Sequence, residues 1–414
     1  MGRVIISYTV FGGMIAYSGI RLFHLTKESR KVQSVLRNNG IEVTENNKKK
    51  RVRVRRISQA QYGSRLYLKL PEGISSEDIE KCEAAINESL RKDIEIRYEK
   101  EEGVYIDIYD ADLPEEIEYS TRLLRNDYKV PIGVDHLGET IYYDFEGSYP
   151  HLLVGGIAGG GKSVLLRSIL TSLALKTKTD LYLTDLKGGV ELGLFRSIEH
   201  TKGFSTTLGE TAKILGKVER EMERRYEILR RNESQQWKGK RVIFVMDELA
   251  DLKERGGEPK QDRSAKHAIK SSLARISAKG RAAGVILVLC TQRPSADIVD
   301  GLIKTNISTS VCFRTRDNIQ SRIILDHGRA SELPGIPGRC MYQQTDDLKV
   351  QTFHLSYANA KKLLKDVPKR QEEQEHSEEV TEVERGTQTA KVPPNESGTI
   401  DVDALGLFDR GSTA

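Results

Sequence analysis

Gly156-Ile157-Ala158-Gly159-Gly160-Gly161-Lys162-Ser163 is the stretch on which the fold turns. It fits G-x-x-x-x-G-K-[ST] in the context that pattern requires: an apolar run, Leu152–Val154, before it and a helix candidate, Lys162–Leu175, after it. Glycines without Cβ atoms let successive backbone N–H groups curl around phosphate oxygens, and the start of the following helix adds partial positive charge. Gly156 through Val164 are therefore the candidate contacts to ATP. Lys162 is placed to reach the β- and γ-phosphates and Ser163 to ligate Mg²⁺. A chance glycine-rich loop is the plain alternative, and the flanking strand and helix argue against it.

Working outward, short apolar runs alternate with helical segments. Leu181–Leu183, Val242–Met246, Val285–Leu289 and Val311–Phe313 read as buried strands, and Glu210–Arg231 and Ala265–Ala282 as helices. Buried strands alternating with helices indicate an α/β fold with a parallel sheet. The run Val242–Met246 delivers Asp247-Glu248 to the edge of that sheet where ligands bind. Asp247 is the candidate Mg²⁺ ligand and Glu248 the candidate general base, an arrangement for ATP hydrolysis and not mere nucleotide storage. Two surface acids ending a strand are the bland alternative. Thr291-Gln292 ends the next strand, where Gln292 can sense the γ-phosphate or orient water.

The rest of the 414-residue chain divides by composition. Residues 1–25 contain Val4–Ile20, a run without charge between Arg3 and Arg21. At about 1.5 Å per residue it reaches roughly 25 Å, slightly short of a bilayer core of about 30 Å. It is read as a membrane anchor, with an interfacial helix or a cleaved signal as alternatives; the basic residues after it put the following domains on the cytoplasmic side. Residues 26–47 read as a helical linker and 48–125 as a small α+β module. Within it, Ser75–Asp78 is a capping box ahead of a helix with Ile79, Cys82, Ile86 and Leu90 on one face. Lys48–Arg56 alternates Arg51, Arg53, Arg55 with Val52, Val54, either a charged edge strand that discourages aggregation or a contact for anionic lipid or nucleic-acid phosphate. Residues 367–414 are low in apolar content and read as a disordered tail. Their acidic-apolar end, 401–409, is either a plain terminus or a short docking motif. The formal net charge of +5 is compatible with nucleic acid without requiring it. The four widely spaced cysteines form no C-x-x-C pair and read as buried thiols.

Several strings together resemble the motor domain of the FtsK/SpoIIIE family of DNA translocases. They are His151-Leu-Leu-Val-Gly-Gly, Asp247-Glu-Leu-Ala-Asp-Leu, Lys279-Gly-Arg-Ala-Ala-Gly, Thr291-Gln-Arg-Pro-Ser, Gly301-Leu-Ile-Lys-Thr-Asn-Ile and Ser321-Arg-Ile-Ile-Leu-Asp. Their order is the family's, over about 130–355. The resemblance implies a RecA-like motor domain, here 126–366, that assembles as a homo-hexamer with ATP between subunits and DNA in the channel. It points to Arg322, with Arg281 second, as the arginine completing a neighbour's site. It also places a channel loop just after the Asp247-Glu248 motif, so that Lys253, Arg255, Lys260 and Arg263 are candidate DNA contacts. Lys187 is a further one, in a string, Asp185-Leu-Lys-Gly-Gly-Val-Glu-Leu, that lacks the family's proline. The implied function is an ATP-driven DNA pump, of single- or double-stranded DNA, resembling the coupling proteins of Gram-positive conjugative elements. Such a protein would partner a relaxase or transfer-channel proteins. Chromosome or plasmid segregation, protein secretion and a nucleotide-gated scaffold are the alternatives.

Overall fold

The computed structural model describes residues 27–370 except 46, 61 and 300. The Val4–Ile20 run and the stretch 371–414, with its 401–409 segment, lie outside the described residues. Among those described, no helix is long and apolar enough to cross a membrane.

The N-terminal module comprises α1 (27–38), β1 (Glu42–Glu45), β2 (Lys48–Arg51), β3 (Arg53–Ala60), β4 (Gly63–Lys69), α2 (Ser76–Glu80), α3 (Glu83–Leu90), β5 (Ile94–Glu99) and β6 (Gly103–Tyr109). β3-β4-β6-β5 form an antiparallel sheet, and β1 pairs with β2. The capping box forms: Asp78 N donates to Ser75 Oγ (3.4 Å) and Ser75 N donates to Asp78 Oδ2 (3.0 Å). Ile79, Cys82, Ile86 and Leu90 are all buried in one cluster. So are Val32 and Leu36 of α1, on the stretch read as a linker, because apolar side chains four apart share a helix face.

The second part contains β7 (Lys129–Val134), β8 (Thr140–Asp144), β9 (Leu152–Gly155), α4 (Lys162–Lys176), β10 (Asp180–Thr184), β11 (Thr201–Ser205), α5 (Leu208–Arg231) and β12 (Val242–Met246). It continues with α6 (Lys260–Ala283), β13 (Val285–Thr291), α7 (Gly301–Asn306), β14 (Thr309–Phe313), α8 (Asn318–Leu325), β15 (Arg339–Gln343), β16 (Asp347–Thr352) and α9 (Tyr357–Leu363). A ten-stranded sheet runs β11-β10-β12-β13-β9-β14-β15-β16-β7-β8. From β11 to β14 every pairing is parallel, as the alternating apolar runs predict. Successive side chains enter opposite layers: Val154, Ile243 and Val245 meet Leu165 and Ile169 of α4, while Leu153, Phe244 and Met246 meet Leu215 of α5 and Leu273 of α6.

The four strands beyond β14 pair antiparallel and form a wing that the apolar runs do not announce. The module abuts this wing through partly buried charge. Arg329 reaches Glu95 (3.5 Å), Asp347 (3.6 Å) and Glu83 (4.0 Å), and Lys349 lies 3.7 Å from Asp93. All four cysteines are buried and free.

Candidate nucleotide site

The sheet register sets the site. Gly155 of β9 is paired with Thr291 of β13, Leu289 of β13 with Met246 of β12, and Met246 with Thr184 of β10. The residues that follow, Gly156, Gln292, Asp247 and Asp185, therefore emerge along one edge, the carboxyl edge of the parallel strands.

The phosphate loop is tightly packed from beneath. Gly156 and Gly161 have φ values of 142° and 122°. A Cβ at Gly156 would sit 2.6 Å from Phe313 Cβ, and one at Gly161 2.9 Å from Phe313 Cε1 and 3.0 Å from Gly338 N. Ile157 N donates to Arg314 O (2.9 Å), and Gly160 O accepts from Gly338 N (2.8 Å). The loop borders a cavity of about 390 Å³ whose walls include Lys162, Ser163, Val164 and Gln292. Its far wall is Gly338, Gln351, Thr352, Phe353 and His354 from the wing, with Glu116 at the rim. None of these carries a local signal in the sequence, since they reach the loop only through strand pairing.

Lys162 is 3% exposed. Its ammonium donates to Asp247 Oδ1 (2.6 Å) and to Asp247 O (2.7 Å). Burial works against that charge, but the surrounding Asp247 and Glu248 outweigh it and hold the pKa above its ordinary value. Asp247 Oδ2 and Asp251 Oδ2 are buried with no hydrogen-bond partner among the described residues. Burial, reinforced by Glu248, raises the pKa of the Asp251 carboxyl. Unpaired carboxylate oxygens beside a phosphate loop are the donor chemistry of a hard divalent cation, so the residues fit Mg²⁺.

Glu248 is 5% exposed and its carboxylate is fully engaged. Gln292 N donates to Oε1 (3.0 Å), Ala250 N to the same oxygen (3.3 Å), and Lys187 Nζ to Oε2 (3.1 Å). Lys187 is held in place by Asp185, whose carboxylate accepts from Lys187 N (3.1 Å), Glu191 N (2.9 Å) and Leu192 N (3.1 Å). The loop turns at Gly188 and Gly189, both left-handed with φ of 84° and 78°. Lys187 thus faces the candidate base, a pairing that the sequence does not reveal.

The remaining candidates lie apart from this cavity. Lys253 and Arg255 are exposed on the segment after β12, which is tethered by Lys253 to Asp297 (3.2 Å) and by buried Lys266 to Lys253 O (2.7 Å). Lys260 and Arg263, expected in that loop, stand instead on the first turn of α6, whose N-cap is Pro259. Proline at that point fixes φ and ends the loop. Arg322 is exposed on α8 and does not line its own chain's cavity, nor does Arg281. Arg281 lines a small recess with Trp237 and Arg241, beside the start of β13 and so at the opposite end of that strand from Gln292.

Comparison with known proteins meets this geometry at the loop. Residues 118–242 match the model of the FtsK/SpoIIIE family. Those residues, the phosphate loop among them, form an FtsK/SpoIIIE family domain. Proteins named DNA translocase FtsK resemble it: that of Halalkalibacterium halodurans is 34% identical over 294 residues, which cover 65% of this chain and 36% of the relative. The Helicobacter pylori protein of that name is 36% identical over 223 residues, 49% of this chain and 25% of the relative. The chain thus spans about a third or less of the length of these FtsK relatives. Among solved structures, the conjugation coupling protein TcpA of pCW3, in a monomer form with ATPgS, aligns at 25% identity with a TM-score of 0.59. That alignment covers 82% of this chain and 99% of TcpA. EssC of Geobacillus thermodenitrificans, at 17% identity and TM-score 0.51, shares the FtsK/SpoIIIE-like fold alone.

Proposed function

We propose that the chain hydrolyses ATP with Mg²⁺ to move DNA, and that it does so as a coupling protein in conjugative transfer. The observation that carries the ATPase reading is the meeting of Lys162, Asp247, Glu248 and Gln292 at one sheet edge: Lys162 and Gln292 line the cavity, and Asp247 and Glu248 accept hydrogen bonds from Lys162 Nζ and Gln292 N. Lys162 and the loop amides bind and orient the triphosphate, and Ser163 with Asp247 would hold the cation, which draws charge from the phosphate oxygens. Glu248 accepts a proton from the attacking water, and Gln292 lies beside both. Exposed Arg322 suits donation into a neighbour's site in a six-membered ring, where it would neutralise charge on the transferred phosphoryl group. Lys253, Arg255, Lys260 and Arg263 are the proposed phosphate contacts, of a kind that ignores base sequence.

The conjugative reading is supported by the TcpA likeness, which extends over nearly that whole chain. An anchor at Val4–Ile20 would hold the motor on the cytoplasmic face of the membrane, next to transfer-channel or relaxase partners. The FtsK relatives favour a second reading, a segregation translocase working on duplex DNA. The test is ATP turnover with duplex, single-stranded and no DNA, at two salt concentrations, together with displacement of a third strand from a duplex track. Turnover that no DNA stimulates defeats the motor reading. Triplex displacement together with no response to single strands favours segregation.

A further inference from the structure

The module carries a second concavity, of about 480 Å³, between α1 and the β2–β3 edge. Arg30 and Arg37 enter it from α1, two helical turns apart on one face. Lys49, Arg51 and Arg53 enter from the strands, every second residue. No acidic side chain lines it. The alternation stops there: a register shift between Val54 and Arg56 places the Arg56 guanidinium over the Tyr67 ring (3.8 Å), and Arg55 donates to Glu102 O. Glu42 pairs with Lys49 and with Arg51 (3.0 Å). Arg30, Arg37 and Arg53 have no ion-pair or side-chain hydrogen-bond partner among the described residues.

A charged edge strand alone would account for Lys49, Arg51 and Arg53. It does not account for two further arginines converging from a helix, since like charges gathered in one recess repel unless an anion joins them. Between the cations the lining is Gln33, Ser34, Leu36, Ile41 and Val52, and Leu36 and Val52 are almost wholly covered, at 1% and 4% exposed. A cationic rim beside the half-buried Gln33 amide and Ser34 hydroxyl matches a compact headgroup that carries one phosphate and neighbouring hydroxyls. A duplex backbone, by contrast, offers phosphates along a track and would touch the rim alone. The position along the chain agrees. Six residues separate the uncharged Val4–Ile20 run from α1, a link of at most roughly 25 Å.

We propose that this recess binds the headgroup of an anionic phospholipid, with the phosphodiester at Arg30, Arg37 and Arg53 and the headgroup hydroxyls toward Gln33 and Ser34. The full-length protein in neutral detergent is titrated with dihexanoyl phosphatidylglycerol, dihexanoyl phosphatidylcholine, inorganic phosphate and a short DNA duplex. Wild type is compared with R30Q/R37Q/R53Q, and with K213Q/K217Q/R220Q, which removes the same charge from exposed positions of α5. Phosphatidylglycerol is expected to bind wild type more tightly than phosphatidylcholine. It should lose about a hundredfold in affinity in the recess variant, on the scale of about 1 kcal/mol per basic residue, and nothing in the α5 variant. Equal binding of the two lipids overturns the proposal. So does displacement of phosphatidylglycerol by an equal concentration of phosphate, or loss of duplex affinity in the recess variant with lipid affinity intact. Thermal unfolding and ATP turnover of the recess variant stay at wild-type levels, so failure at this site is distinguishable from failure of the motor reading.

Discussion

Lys187 Nζ lies 3.1 Å from Oε2 of Glu248, so the proposed base is paired with an ammonium from the loop after the neighbouring strand. With Gln292 N and Ala250 N on Oε1 and Lys187 Nζ on Oε2, an attacking water must compete with these donors for the carboxylate. The Lys187 side chain is 41% exposed and so within reach of a passing phosphate. Lys187→Met is therefore expected to raise DNA-independent ATP turnover severalfold, the scale of one charge-assisted hydrogen bond being about 1.5–3 kcal/mol gross of solvent screening, and to shrink the stimulation by DNA. Phosphate release with and without DNA measures both, and an unchanged ratio would show that the contact has no part in gating.

Glu248→Gln keeps the shape and the bonds from Gln292 N while removing the base. Turnover should fall by about a hundredfold or more, with nucleotide affinity close to wild type. Equilibrium nucleotide binding alongside phosphate release separates the two effects.

Lys162→Ala strands Asp247, a buried carboxylate, without its cation. Breaking one side of a buried pair costs about 3–5 kcal/mol. Urea unfolding should show a loss of that order, and Lys162→Ala with Asp247→Asn should recover part of it. A double variant no more stable than the single one would mean that the pair contributes little to folding.

The loop glycines differ in what surrounds them. Gly161→Ala drives a Cβ to 2.9 Å from Phe313 Cε1 and 3.0 Å from Gly338 N, whereas at Gly159 nothing lies within 4 Å. Gly159→Ala retains only the strain of a left-handed φ, 80°, worth about 1–2 kcal/mol. Nucleotide binding should survive Gly159→Ala in weakened form and be lost in Gly161→Ala, as calorimetric titration would show.

His151 is buried, and its Nδ1 accepts from Leu287 N (3.0 Å). Burial first, and Arg281 second, depress its pKa from 6.5 to about 4. The neutral ring is favoured in the fold, so this contribution is complete above pH 6.5 and fades as pH falls toward 4. A stability loss of about 3 kcal/mol across that window is expected at most. His151→Asn should flatten that part of the pH–stability curve.

The parallel core and the phosphate loop are legible because their signals are local: three to five apolar residues for each buried strand, and glycines where φ is positive. The acid pair follows from strand polarity in the same way. The wing is not legible, since β16, Asp347–Thr352, mixes polar with apolar residues and acquires its role by pairing. Thr352 and Phe353 therefore reach the phosphate loop without any mark near it in sequence. Lys260 and Arg263 read as loop because Gly256-Gly257 and mixed charge precede them, while Pro259 already starts a helix. The partner of Glu248 was hidden for another reason: Lys187 is sixty-one positions away and arrives only when β10 lies beside β12.

The hydrogen bond from Gly338 N to Gly160 O joins the phosphate loop to strands that also bear Lys349, which faces Asp93 of the N-terminal module. One pair of strands is then both a wall of the cavity and the footing of the N-terminal module. A displacement of that wall on phosphate release would therefore be passed to the N-terminal module through Lys349 and Asp93, a mechanical link of two strands.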